Sequence, residues 1–163
     1  MEYRFQHVLR GILVGGFFVL LFISSINVYS QKQNKFDFKS STPEEFIEFL
    51  KNSTSSYYAY TIYKDYGPPE NWVKEEHISR LIELIDSEEP CLHVDTVSSS
   101  TIPHKLSTVG NEAMFLIIGF KENRYPSRSS SIFVSSSEKE GILKWWHDRQ
   151  NQQPHEIDSG NNP

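Results

Sequence analysis

Cys91-x-His93-x-Asp95 sets a thiol, an imidazole and a carboxylate at alternate positions of the run CLHVD. On a strand the three share a face, and on a helix they diverge. Structural zinc takes four ligands, commonly in paired spacings, and no second cluster of that kind lies near by in sequence. The run therefore reads as a buried thiol with surface polar neighbours, and no metal ligand is assigned. The same thiol could act as a nucleophile with His77, His93 or His104 as its base, because such partners need only meet in space. Against this, Leu92, Val94 and Val97 make its surroundings apolar, and the nearest preceding cation is Arg80. A reactive thiolate needs a nearby cation or a helix N-terminus to lower its pKa. Cys91 is thus expected to be a packing residue.

Other chemistry is equally sparse. No G-x-S-x-G, H-E-x-x-H, G-x-G-x-x-G or Walker sequence occurs. Glu75-Glu76 and Glu88-Glu89 are adjacent pairs, which on a helix diverge by about 100° and cannot face one substrate together. Serines cluster in connecting segments, where their hydroxyls are expected to be solvated. No catalytic residue and no cofactor are assigned. Trp72, Trp145, Trp146 and the eight tyrosines exceed what so small a core requires. Exposed aromatics mark binding surfaces, although rings filling gaps between short helices account for them as well.

The elements that must position these residues read as helices. Thr42-Pro43-Glu44-Glu45 combines an N-cap, a proline at the first helical position and a capping-box glutamate, followed by Phe46, Ile47, Phe49 and Leu50 as a buried side. Residues 57–66 are rich in tyrosine and suit either a strand or a helix closed by Gly67, and the helix is preferred. Over residues 73–87, Ile78, Leu81, Ile82 and Ile85 follow the i, i+3, i+4, i+7 pattern of a helical stripe. Ser87-Glu88-Glu89-Pro90 resembles a further helix start, and residues 91–98 fit helix and strand alike. Residues 109–120, VGNEAMFLIIGF, form a broad apolar helix that Tyr125-Pro126 stops. Residues 127–136 read as a serine loop tucking Ile132, Phe133 and Val134 onto the domain. Ser137 and Glu140 then suggest a capping box for a last helix carrying Ile142, Trp145, Trp146 and Arg149.

Length and charge frame this domain. Residues 1–30 carry Arg4 and Arg10, an uncharged run at residues 11–23, and the polar stretch SSINVYS, the layout of a secretory signal cleaved after Ser30. A retained membrane anchor is the alternative, but spanning needs about 20 apolar residues. Residues 31–41 read as a polar tether, 42–150 as one helical domain and 151–163 as a disordered tail. Removing Glu2, Arg4 and Arg10 leaves 14 basic against 20 acidic residues, a net charge of −6. That balance argues against a nucleic-acid partner. With a single cysteine, no intramolecular disulfide can form.

The runs NWVKEEHISRLIELIDSEEPC, STVGNEAMFLIIGFKENRYPS and GILKWWHDRQ, through Trp72, Ile78, Leu81, Pro90, Gly110, Ala113, Tyr125, Pro126 and Trp146, resemble small exported bacterial proteins of Bacteroidota type with HEAT-like helical pairs. The resemblance covers roughly residues 42–150. It implies an all-α fold of short antiparallel helical pairs and an exported location, periplasmic or secreted, and it carries no catalytic residue across. A non-catalytic binding or scaffold module contacting another protein is the leading expectation, with binding residues unassigned. A small Cys/His enzyme and an inhibitor or immunity-type protein for a basic partner are the alternatives. Membrane contact is expected only if residues 1–30 are kept as an anchor.

Overall fold

The computed structural model describes residues 35–152; the expected signal segment and most of the expected tail lie outside them. Among the described residues, four helices combine with four short strands. They are α1 (Pro43–Asn52), β1 (Ala59–Ile62), α2 (Glu75–Leu84), β2 (Pro90–Cys91), β3 (His93–Thr96), β4 (Ser107–Thr108), α3 (Val109–Lys121) and α4 (Ser136–Gln152). The fold is mixed α/β, which corrects the all-α, HEAT-like expectation. No described helix is long and apolar enough to cross a membrane.

Where signals are local, the sequence reading holds. Thr42 Oγ1 accepts from the Glu45 amide at 3.2 Å while Glu45 Oε2 accepts from the Thr42 amide at 2.8 Å, the reciprocal capping box that starts α1. In the α2 segment Ile78, Leu81 and Ile85 are buried and Ile82 is partly so, as the stripe requires. The broad apolar side of α3 puts that helix at the centre, with Phe115, Leu116 and Ile117 fully buried and α1, α2 and α4 packed around it. It ends at Lys121, before Tyr125-Pro126, and Asn123 takes the left-handed φ of 51° in the turn.

The departures in secondary structure are pairings across the chain. Residues 57–66 form β1 and a single 3-10 turn, not a helix, because Ala59–Ile62 lies parallel to His93–Thr96 with three of its four side chains buried. Gly67 has φ −80°, so it does not make the left-handed helix cap expected of it. Parallel strands need a crossover, and α2 supplies it. Ser87-Glu88-Glu89-Pro90 leads into β2, antiparallel to β4, instead of opening a helix. Pro90 is tolerated as the first residue of that strand because its missing N–H is not needed there.

Two further expectations are corrected. The supposed tether buries Phe36 and Phe38, whose rings lie 4.8 and 5.0 Å from that of Phe46. The capping box of α4 is Ser135 with Glu138, not Ser137 with Glu140: Glu138 Oε2 accepts from the Ser135 amide at 2.7 Å, and Ser135 Oγ accepts from the Glu138 amide at 3.3 Å. Gly110 lets the ends of α2 and α3 meet, since a Cβ there would lie 2.4 Å from the Ile85 carbonyl oxygen. Its amide instead donates to the Ser87 carbonyl at 3.0 Å.

Candidate functional site: a buried polar knot and a tyrosine-lined strand

Among the described residues Glu112 is the one acidic residue with no exposure, on the first turn of α3 and facing inward. Its Oε1 accepts from Ser107 at the start of β4, from Ser131 at 2.7 Å and from Asn111 Nδ2 at 2.9 Å. Oε2 has no partner among the described residues. Three donors share one oxygen, so a proton on this carboxyl belongs on Oε2. Burial pushes the acid up to about 7, against the pull of the Ser107, Ser131 and Asn111 hydrogen bonds.

Ser131 Oγ fixes the tautomer of His93. Its only hydrogen is donated to Glu112, and its lone pairs face the Val94 amide at 3.0 Å and His93 Nδ1 at 3.2 Å. Nδ1 must then carry a hydrogen. The imidazole lies 3.7 Å from Glu112 Oε1, close enough for an ion pair if it were charged. Burial, aided by the positive charge of Lys105, pulls its pKa down to about 4 instead, so between about pH 4 and pH 7 a neutral acid faces a neutral base.

The geometry differs from a nucleophile–base–acid triad. There the nucleophile and the acid engage opposite ring nitrogens. Here Ser131 and Glu112 both lie on the Nδ1 side, and the serine gives its proton to the carboxyl. Both have no exposure. Cys91 is buried as well, and burial, with Glu112 and Glu89 adding to it, pushes its thiol far up, away from thiolate chemistry. Asp95 is buried and raised by burial, countered by the Ser130 hydroxyl, and its Oδ1 has no partner among the described residues.

Strand pairing thus buries Cys91, His93 and Asp95 together, but it does not make them ligands: no group of three His, Cys, Asp or Glu side chains among the described residues is arranged to hold a metal ion. His77 caps α2 by accepting from the Lys74 amide at 3.1 Å, and His104 lies on an exposed connection. Neither hydrogen-bonds Cys91. Glu112, Ser107, Asn111 and Ser131 were not singled out by sequence reasoning, and the expectation of solvated linker serines is overturned at Ser107, Ser127, Ser130 and Ser131. The one available signal was an acid among the apolar residues of VGNEAMFLIIGF.

The aromatic residues divide into two populations. Phe36, Phe38, Phe46, Tyr60 and Trp72 are core, and Trp72 Nε1 donates to the Ser41 carbonyl at 2.8 Å. Tyr57, Tyr58, Tyr63 and Tyr66 are exposed by 64, 41, 53 and 58 % and bracket β1. That strand has β3 on one side and no strand on the other among the described residues. Tyr58 holds a left-handed φ of 55°, an outlier for an aromatic residue, while its carbonyl accepts from the His93 amide at 2.8 Å. No protein family, curated protein or solved structure matches the chain.

Proposed function

We propose that this chain is a non-catalytic protein-binding module, exported by its N-terminal segment, and that it meets an extended segment of another protein along β1. The observation that carries this reading is the set of four exposed tyrosines around a strand paired on one side only. Tyrosine offers a large amphipathic contact area at low entropic cost, and these four side chains present it on both sides of a strand that is itself buried. Cys91, His93 and Glu112, which could do chemistry, are buried.

The test is site-specific photo-crosslinking in the native cell. A photoreactive phenylalanine at Tyr63 should trap a discrete partner protein, and the same probe at Leu143, exposed by 40 % on α4, should not. Identical adducts from both positions would reject β1 as the contact surface. Intact-mass measurement of the same protein should give a chain starting at Gln31, and recovery of Met1 in the membrane fraction would replace export by anchoring.

A further inference from the structure

The exposed apolar side chains outside β1 are grouped. Among the described residues the large ones that are not tyrosines are Val97, Ile102, Leu106, Phe133 and Leu143, and the first four, exposed by 41 to 60 %, stand on two connections that touch. The Thr96 amide donates to the Ser129 carbonyl at 2.8 Å, which brings Val97 beside residues 127–133. Ser107 and Ser131 both donate to Glu112 Oε1, so Leu106 and Phe133 flank one point. Ile102 lies between, next to the buried Pro103. Phe133, expected to tuck onto the domain, is thus part of an exposed group.

Charge follows the same division. The chain beyond residue 30 carries 20 acidic against 14 basic residues, yet residues 96–111 and 123–137 hold Lys105, Arg124 and Arg128 and no acid. Arg128 is paired with Glu138, whereas Lys105 and Arg124 make no ion pair among the described residues. Asp95 and Glu112, which border the first stretch, are buried, and Glu122 is the exposed acid at the margin of the second.

The chain also enters the domain on this side. Lys35, the first described residue, holds its ammonium 3.2 Å from the centroid of the Tyr66 ring, in the turn that follows β1. The pairing of Ile62 with Thr96 sets Tyr63 and Val97 next to each other at that same end of the strands. Residues 24–34 are all that separate Lys35 from the uncharged run at 11–23, a reach of at most about 40 Å.

We propose that Val97, Ile102, Leu106 and Phe133, with Lys105 and Arg124, form a face that docks on a lipid bilayer with anionic headgroups. A fluid interface takes up apolar tips without a matching shape, and its negative surface draws Lys105 and Arg124. The bilayer is also the surface to which an export signal or anchor at residues 1–30 brings the chain. Docking here leaves the four tyrosines around β1 to a protein partner.

Because the uncharged run at 11–23 favours vesicles by itself, the test must read the face and not attachment of the chain. In the full chain, a nitrobenzoxadiazole dye, which brightens in apolar surroundings, is placed through Ile102→Cys or, separately, through Leu143→Cys on α4; Cys91 is buried and stays unlabelled. On vesicles of equimolar phosphatidylglycerol and phosphatidylcholine the dye at position 102 should brighten, shift to the blue and be quenched by nitroxides on the acyl chains. At position 143 it should behave as in buffer. Vesicles of phosphatidylcholine alone should give a smaller response at position 102. Lys105→Glu should lower the ratio of docked to undocked domains about tenfold on the anionic vesicles, since it reverses one charge of the face. Equal responses at the two positions, no response at position 102, or a Lys105→Glu response equal to that of the wild type would overturn the proposal. So would a dye at position 102 that is silent on vesicles but shifted by polyglutamate, which would assign the face to an acidic protein.

Discussion

The aromatic cluster around Phe46 and the polar knot around Glu112 both hold α3, and they do so by opposite means. Phe46 lies within 4.8 to 6.5 Å, centroid to centroid, of Phe36, Phe38, Phe49, Tyr60, Trp72 and Tyr125. Such contacts are non-directional, and their strength grows with the apolar area removed from water. In the knot the contacts are directional hydrogen bonds that converge on Glu112 Oε1, and one proton decides whether the group is neutral. The first region supplies stability. The second fixes how the serine segment, β3 and β4 sit on α3, and burial of its one acid couples it to pH. Tyr125 joins the two: its ring lies 5.5 Å from Phe115 and 5.8 Å from Trp72, while its hydroxyl is buried without a partner among the described residues.

Truncating the aromatic region should produce the largest effect. Phe46→Ala should cost about 3–5 kcal/mol of unfolding free energy, through lost transfer energy and the cavity left behind. Urea melts at pH 5 and pH 8 should give the same loss, because no titratable group hydrogen-bonds to a phenyl ring. A loss that changed with pH would erase the distinction between the regions.

The knot should show the converse. Folded Glu112 keeps its proton up to about 7 and the unfolded acid releases it near 4.5, so its contribution is complete below about 4.5 and is lost as pH rises through 7. His93, lowered from 6.5 to about 4, contributes fully above 6.5 and loses its contribution as pH falls through 4. Each of these terms is about 3 kcal/mol. Relative to wild type, Glu112→Gln should therefore gain up to about 3 kcal/mol of stability as pH is raised from 4.5 to 7. Paired denaturation curves across that range check the sign as well as the size.

Two smaller effects sharpen the contrast. Cys91→Ser places a hydroxyl where a buried thiol makes no hydrogen bond, and should destabilise by about 1–3 kcal/mol. Native Cys91 should react with a thiol reagent only as fast as the domain opens, and rapid labelling at neutral pH would revive a catalytic role for it. Tyr125→Phe removes an unpartnered hydroxyl and keeps the ring, so melting should show a change within about 1 kcal/mol, on the stabilising side. A larger loss would mean that the hydroxyl belongs to the knot after all.

Legibility in the sequence follows the range of each interaction. Thr42 and Glu45 announce α1 because a capping box closes within one turn. The stripe of Ile78, Leu81 and Ile85 announces α2 for the same reason. The start of α4 is ambiguous, since Ser135–Glu138 and Ser137–Glu140 share one spacing; Arg128, paired with Glu138 from the preceding segment, accompanies the first. The strands are illegible locally: Ala59–Ile62 is a strand only because His93–Thr96 lies beside it. The knot is the extreme case. Ser131 is one of six serines in its segment until it is set against Glu112, and Glu112 is visible only as an acid in an apolar helix.

The most direct test of the account, that the chain's chemistry-bearing side chains are neutral and structural, is a nitrogen-15 NMR titration of the His93 ring. The account predicts a neutral imidazole with its hydrogen on Nδ1, unchanged from pH 8 down to about pH 5 and titrating near 4. An imidazolium signal at pH 7 would show a charged Glu112–His93 ion pair in its place and would contradict the account.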